Sequence, residues 1–328
     1  MTSPSPPLIH TNGGAVVNGS VTVNDGDFVG RDQIIEHIDN FFQQATSAVE
    51  EAEKALSLAD QRLAEGVRNY ADRLRTLFTR LPDDDVGAVY KGLLAYRLDD
   101  AEIFCGRDAA IKEVRDKLAN GPLTILHAQS GAGKSSLLQA GIAPRLLQNS
   151  ALPIYVRAYD VPPALAIKRI FLPNLGVTPA WEGAPLRDFL RQVTSVLKVE
   201  TRLYLLLDQF EEFFTLVNPT EQRAFVRELA DCLEDPTLNV RWLLALRSEF
   251  FSDMASFGAE IENPFANEYR LNCLTLSEAQ RVIIVPALRQ GIDYEPALVD
   301  RVLQELGDEK GEVAPPQLQL ICRALYSR

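Results

Sequence analysis

Eight residues, AQSGAGKS from Ala128 to Ser135, constrain this chain more than any other stretch. They stand between a short apolar run, Leu123-Thr-Ile-Leu-His127, and an apolar helical pattern through Leu137, Leu138 and Ile142. The spacing is that of a phosphate-cradling loop, Gly-x4-Gly-Lys-Ser/Thr, with Ala128 as a small substitute for the first glycine. Gly131 and Gly133 let the backbone curl so that successive N–H groups face phosphate oxygens. The helix that follows aims its positive end at the same oxygens. Ser130, Gly131, Ala132, Gly133, Lys134, Ser135 and Ser136 are thus the predicted phosphate contacts of ATP or ADP. Lys134 supplies a point charge to the β- and γ-phosphates, and the Ser135 hydroxyl is a ligand for Mg²⁺.

Three more segments read as strands: Ile154-Tyr-Val-Arg157, Leu203–Leu207 and Trp242–Leu246. Runs that are apolar throughout, separated by helical patterns, imply an α/β fold with a parallel sheet covered by helices on both faces. In LYLLLDQFEEFF, Asp208 ends such a strand at the ligand-binding edge and is the expected acid on the Mg²⁺ side. Glu211 and Glu212 follow, and either could orient or deprotonate an attacking water; Glu212 is slightly favoured. The competing reading is a solvated helix start, where acids suit the helix dipole. In WLLALRSEF, Arg247 ends another apolar strand and could reach a γ-phosphate, or else form a structural salt bridge. FCGRDAAI, Phe104 to Ile111, lies one helix before the first strand, close enough to line the adenine and ribose. Its near-copy FVGRDQII, Phe28 to Ile35, lies too far upstream for that role.

Past Glu268 the pattern turns helical, at Ser277–Leu288, Glu295–Leu306 and Pro316–Tyr326. LTLSEAQ offers Ser277 as an N-cap with Gln280 in a capping box. At the other end, apolar residues from Val49 to Leu81 recur in steps of three and four with one stutter beside Gly66. That rhythm predicts one long helix, or two broken near Gly66, packed in its own domain or self-associating as a coiled coil. Residues 1–30, rich in Val, Gly and Asn, read as short strands and tight turns.

The net charge of −12 and the absence of a Lys/Arg-rich run with aromatics make nucleic acid a poor partner. No apolar run approaches the ~20 residues of a membrane helix, and MTSPSPPLIHTNGG lacks the form of a secretory signal. Four scattered cysteines and three histidines argue against disulfides or zinc, and for reduced thiols in the cytoplasm.

Taken together, DAEIFCGRDAAI, SGAGKSSLLQAGIAPRL, LYLLLDQFEEFF, LALRSEF and APPQLQLICRALY resemble the STAND class of P-loop ATPases. The similarity is to its novel STAND group, found in large bacterial signalling proteins and related to NACHT and apoptotic-type ATPases. It covers Tyr90 to Tyr326. It implies a nucleotide-binding core at 90–267, a helical lid at 268–312 and the start of a winged-helix domain at 313–328. These would follow a β segment (1–30), a helical module (31–82) and a linker (83–89). By resemblance, Gly106 and Arg107 match a Gly-Arg element near the nucleotide, and Arg247 a sensor arginine. Pro316 resembles the proline that approaches adenine from the lid. Family members continue into a sensor region, so either a longer parent protein or a protein lacking its sensor is expected.

The resemblance implies a regulatory switch. ADP would hold core and lid closed, and ATP exchange would release them for self-association, with slow hydrolysis as the reset. An effector or adaptor would be engaged through the N-terminal module, and bacterial defence fits such a role. A constitutive ATPase motor and a scaffold that binds nucleotide without hydrolysis are the alternatives. No LSGGQ-like signature precedes Asp208, which disfavours a transporter ATPase.

Overall fold

The computed structural model describes residues 58–79, 89–157, 160–197 and 201–326. The Val/Gly/Asn-rich start, the upstream Phe28–Ile35 copy, the first part of the apolar 3-4 rhythm and nearly all of the linker lie outside the described residues. Among the described residues, no helix is long and apolar enough to cross a membrane.

The apolar runs form a parallel sheet. Its strands are β1 (Leu123–Ala128), β2 (Ala151–Val156), β3 (Arg202–Leu207), β4 (Val240–Arg247) and β5 (Glu268–Leu271), in the order β2-β3-β4-β1-β5. Leu205, Leu206 and Leu207 are all fully buried, so both faces of β3 are covered, as the unbroken apolar run requires. Pro153 has no N–H to give a second neighbour and sits in β2, an edge strand. β4 lies between β1 and β3, with Ala128 in register with Arg247 and Leu207 with Leu244. The carboxyl ends of three adjacent strands therefore present the phosphate loop, Arg247 and Asp208 side by side.

β5 corrects the expectation of a purely helical pattern beyond Glu268. It extends the sheet past residue 267, and only Leu271 of its four residues is buried. A polar four-residue edge strand has too little apolar periodicity to be read.

Helix α1 (Leu58–Thr79) runs unbroken through Gly66. Its apolar seam, Leu63, Val67 and Tyr70, is buried in the same cluster as the sheet. It packs on α3 (Pro163–Phe171) and α4 (Leu186–Ser195), with α2 being Asp108–Asn120. From Leu63 to Tyr70, then, the seam is covered by this chain's own helices, whereas Leu77 near the end of α1 is exposed. Tyr70 Oη donates to Pro153 O at 2.9 Å and Arg73 Nη2 to Ile170 O at 3.0 Å. Gly66 makes the approach possible, since a Cβ there would stand 2.0 Å from Phe171 O. Gly66→Ala is expected to destabilise the protein by about 1–3 kcal/mol, although alanine is the better helix former. A thermal midpoint equal to or above wild type would contradict that packing.

After β5 the chain builds a small unit. β6 (Leu274–Thr275) pairs with β7 (Glu312–Val313), and three helices pack beside them: α7 (Leu276–Arg289), α8 (Pro296–Leu306) and α9 (Pro315–Tyr326). Helices α5 (Glu211–Leu216) and α6 (Pro219–Glu234) belong to the core. The N-cap of α7 is Thr275, whose hydroxyl accepts from Glu278 N while the Glu278 carboxylate accepts from Thr275 N. Ser277 lies inside the helix, because the β6–β7 ladder holds Thr275 extended and starts the helix two residues earlier than Ser277 as cap would.

Leu318 and Cys322 of α9 are buried with Ala279, Ile283, Val299 and Val302. Residues 313–326, expected to open a winged-helix domain, thus share the hydrophobic cluster of the lid helices. Val89 and Tyr90 enter that cluster too, and Tyr90 Oη donates to Ile283 O. The segment 89–96 is therefore a strap from the lid back to the core. Cys232 and Cys322 are buried thiols, both pushed up to about 12 by burial, as befits inert packing groups.

Candidate functional site

A cavity of about 240 Å³ opens where the phosphate loop, the strand ends, the strap and the lid meet. Ser130, Gly131, Ala132, Gly133, Lys134, Ser135 and Ser136 all line it, as do Phe104, Arg107, Asp208, Glu211, Arg247 and Pro316. Gly106 and Glu212 do not. Gly131 and Gly133 have φ values of +80° and +98°, so the curl of the loop depends on both. At Gly131 a Cβ would lie 3.0 Å from Pro316 Cγ, which brings the lid directly against the loop.

Lys134 is 9% exposed, and its amine donates to Ala128 O at a long 3.4 Å. Burial lowers its pKa, while the charges of Glu211 and Asp208 act to raise it. A cation held this deep with one weak bond suits an arriving phosphate. Asp208 is fully buried. Its Oδ2 accepts from Tyr155 Oη at 2.7 Å and its Oδ1 from Gln209 N at 2.9 Å. Burial first, then Asp208, pushes the Tyr155 pKa up, with Ser135 acting in the opposite direction. Tyr155 thus orients the carboxylate expected to face Mg²⁺.

Among the described residues, no three His, Cys, Asp or Glu side chains cluster as a metal cage. Ser135 and Asp208 nonetheless fit Mg²⁺, which takes one or two protein oxygens and fills its octahedron with phosphate and water.

Glu211 is tied to the strand end. Its carboxylate accepts from Arg247 N at 3.2 Å and from Arg247 Nε at 3.1 Å. Adjacent helical positions differ by ~100° in direction, so Glu211 turns into the cavity and Glu212 away from it. The Gly-Arg element has a different role from simple lining. Gly106, at φ +78°, lies where a Cβ would meet Val282 Cγ2 at 2.6 Å and Glu278 O at 2.7 Å. The buried Arg107 donates through Nη2 to Ala132 O at 3.0 Å and to Asn272 O at 2.9 Å. Its Nη1 donates to Cys273 O at 3.4 Å, and Glu278 stands 3.9 Å away. Burial lowers its pKa, opposed chiefly by Glu278. The element therefore fastens phosphate loop, sheet edge and lid together.

Tyr155, Tyr96 and Gln319 were not expected from sequence. Tyr96 N donates to Ser136 Oγ at 3.1 Å, joining the strap to the loop helix. Behind the loop, His127 contacts Ser248 Oγ at 3.1 Å and Glu268 Oε2 at 2.8 Å, and stacks on Phe251 at 4.2 Å. It braces β1 against β5 and against the residue after Arg247. The signal for Tyr155 was its place in a strand facing Asp208; long-range partners gave none for the rest.

No curated protein matches the chain in sequence. Among solved structures, the Walker-type ATPase PABY2304 of Pyrococcus abyssi is similar with a TM-score of 0.53 at 14% identity, over 73% of this chain and 72% of that one. The ORC2 protein of Aeropyrum pernix, in its ADPNP-ADP complexes, follows with a TM-score of 0.48 at 18% identity. That match covers 75% of this chain and 64% of ORC2. The family model described as Novel STAND NTPase 1 matches residues 90–328. The chain belongs to that family, and is on that ground a nucleotide-binding P-loop NTPase.

Proposed function

We propose that the chain is an ATP/ADP-controlled switch in which the nucleotide clasps core and lid together, and slow Mg²⁺-dependent hydrolysis resets it. The observation that carries this reading is the contact of Pro316 with Gly131, which makes the lid one wall of the phosphate site. A ligand that touches both bodies can shift their equilibrium by its differential affinity for the two arrangements. Moving 1:99 to 99:1 takes ~5.5 kcal/mol, within the reach of one nucleotide.

Lys134 and the loop N–H groups would hold the phosphates. Ser135 and Asp208 would hold Mg²⁺, which supplies neutralisation of phosphate charge when bound. Glu211 is the better candidate to orient water, because it and not Glu212 faces the cavity. In this arrangement its carboxylate accepts from Arg247 N and Nε, which holds both groups at the strand end without using the Arg247 Nη donors. Release of the lid would expose surface for self-association, with an effector or adaptor reached through the N-terminal region.

The test is mass and turnover together. With ADP and Mg²⁺ the protein should remain monomeric, and with a non-hydrolysable ATP analogue its mass should rise. Turnover should stay well below 1 s⁻¹, the low end of ordinary enzymes (about 1–10³ s⁻¹). Rapid hydrolysis by a monomer whose mass ignores the nucleotide would replace the switch with a simple ATPase.

A further inference from the structure

We propose that Gln319 is the residue with which the lid reads the nucleobase, its amide Nε2 donating to a ring nitrogen of a bound purine. This rests on the nucleotide-binding reading above and assigns it a base-recognition group. Gln319, on α9, is 7% exposed and lines the cavity. Its Oε1 accepts from Lys91 N at 3.1 Å and from Tyr96 Oη at 2.8 Å. A backbone N–H can only donate, so Lys91 fixes which end of the amide is oxygen. Burial raises the Tyr96 pKa and keeps that hydroxyl a donor. The single Tyr96 hydroxyl proton is shared between Oε1 and Val89 O at 3.1 Å, so Oε1 is held by Lys91 N and in part by Tyr96, and the two N–H groups of Nε2 are what Gln319 has to offer the cavity.

The surroundings select the ligand part. Phe104, Ile103, Val282 and Pro316 provide apolar walls, whereas Lys134 and Asp208 mark the phosphate end. A flat heterocycle with ring-nitrogen acceptors fits the first group, and a buried amide donor left unmade there costs about 1–3 kcal/mol. The same amide oxygen is gripped by the strap, and Tyr96 of the strap is bonded to Ser136 beside the loop. Base recognition and lid position are therefore one set of bonds.

Calorimetric Kd values with Mg²⁺ test this, for ADP, for its 1-, 3- and 7-deaza analogues and for inorganic tripolyphosphate. Wild type should lose about tenfold for one deaza analogue and little for the other two. Gln319→Glu keeps both acceptor roles and removes the donor. It should bind ADP about tenfold more weakly, bind tripolyphosphate as wild type does, and become indifferent to the sensitive deaza position. Equal wild-type affinity for all three analogues overturns the inference without needing the variant. So does a deaza penalty that persists in Gln319→Glu, or a parallel loss of tripolyphosphate binding. Wild type that binds neither ADP nor tripolyphosphate would sink the nucleotide reading itself.

Discussion

Lys134→Ala is expected to weaken nucleotide binding by roughly two orders of magnitude, about 3 kcal/mol, while leaving the fold intact. Lys134 is 9% exposed and the bond of its amine to Ala128 O is 3.4 Å long, so removing it also removes a costly buried charge. The variant's melting temperature without nucleotide should therefore match or exceed wild type. Wild type should gain about 2.7 kcal/mol at nucleotide a hundredfold above Kd, and the variant should gain almost nothing at that concentration. Thermal shift with and without ADP-Mg²⁺ measures both effects. An undiminished shift would mean that Lys134 does not meet the phosphates.

The second large effect is expected at Arg107. Its guanidinium joins three carbonyls from two segments, Ala132 of the phosphate loop and Asn272 and Cys273 just after β5, from a buried position. Arg107→Ala leaves those acceptors without their donor and should cost on the order of 3 kcal/mol. Arg107→Lys should rescue little, since one ammonium cannot reproduce a planar fork spanning all three. The loss should concentrate at the lid, where limited proteolysis after β5 should quicken, and nucleotide affinity should fall because Ala132 belongs to the phosphate loop. Arg301→Ala is the control. It breaks only the exposed pair with Glu305 and should change neither quantity.

The features legible in the sequence were those carried by local pattern. Strands β1 to β4 are apolar runs, and the phosphate loop is a contiguous motif between a strand and a helix. The lid helices showed their 3-4 periodicity. Residues whose meaning depends on distant partners were not legible. LTLSEAQ contains two overlapping capping boxes, and only pairing of β6 with β7 chooses Thr275 over Ser277. Glu211 and Glu212 are chemically alike; the Arg247 contact distinguishes them. Gln319 meets Lys91 across 228 positions, and α1 joins the sheet's core through Gly66 and Phe171 rather than through any local signal.

Hydrogen exchange with and without ADP-Mg²⁺ reads out whether a nucleotide bridges core and lid. Added protection is expected in three places at once: the loop at 128–136, the strap at 89–96 and α9 at 315–326. Protection confined to the loop, with strap and α9 exchanging as in the free protein, would contradict it.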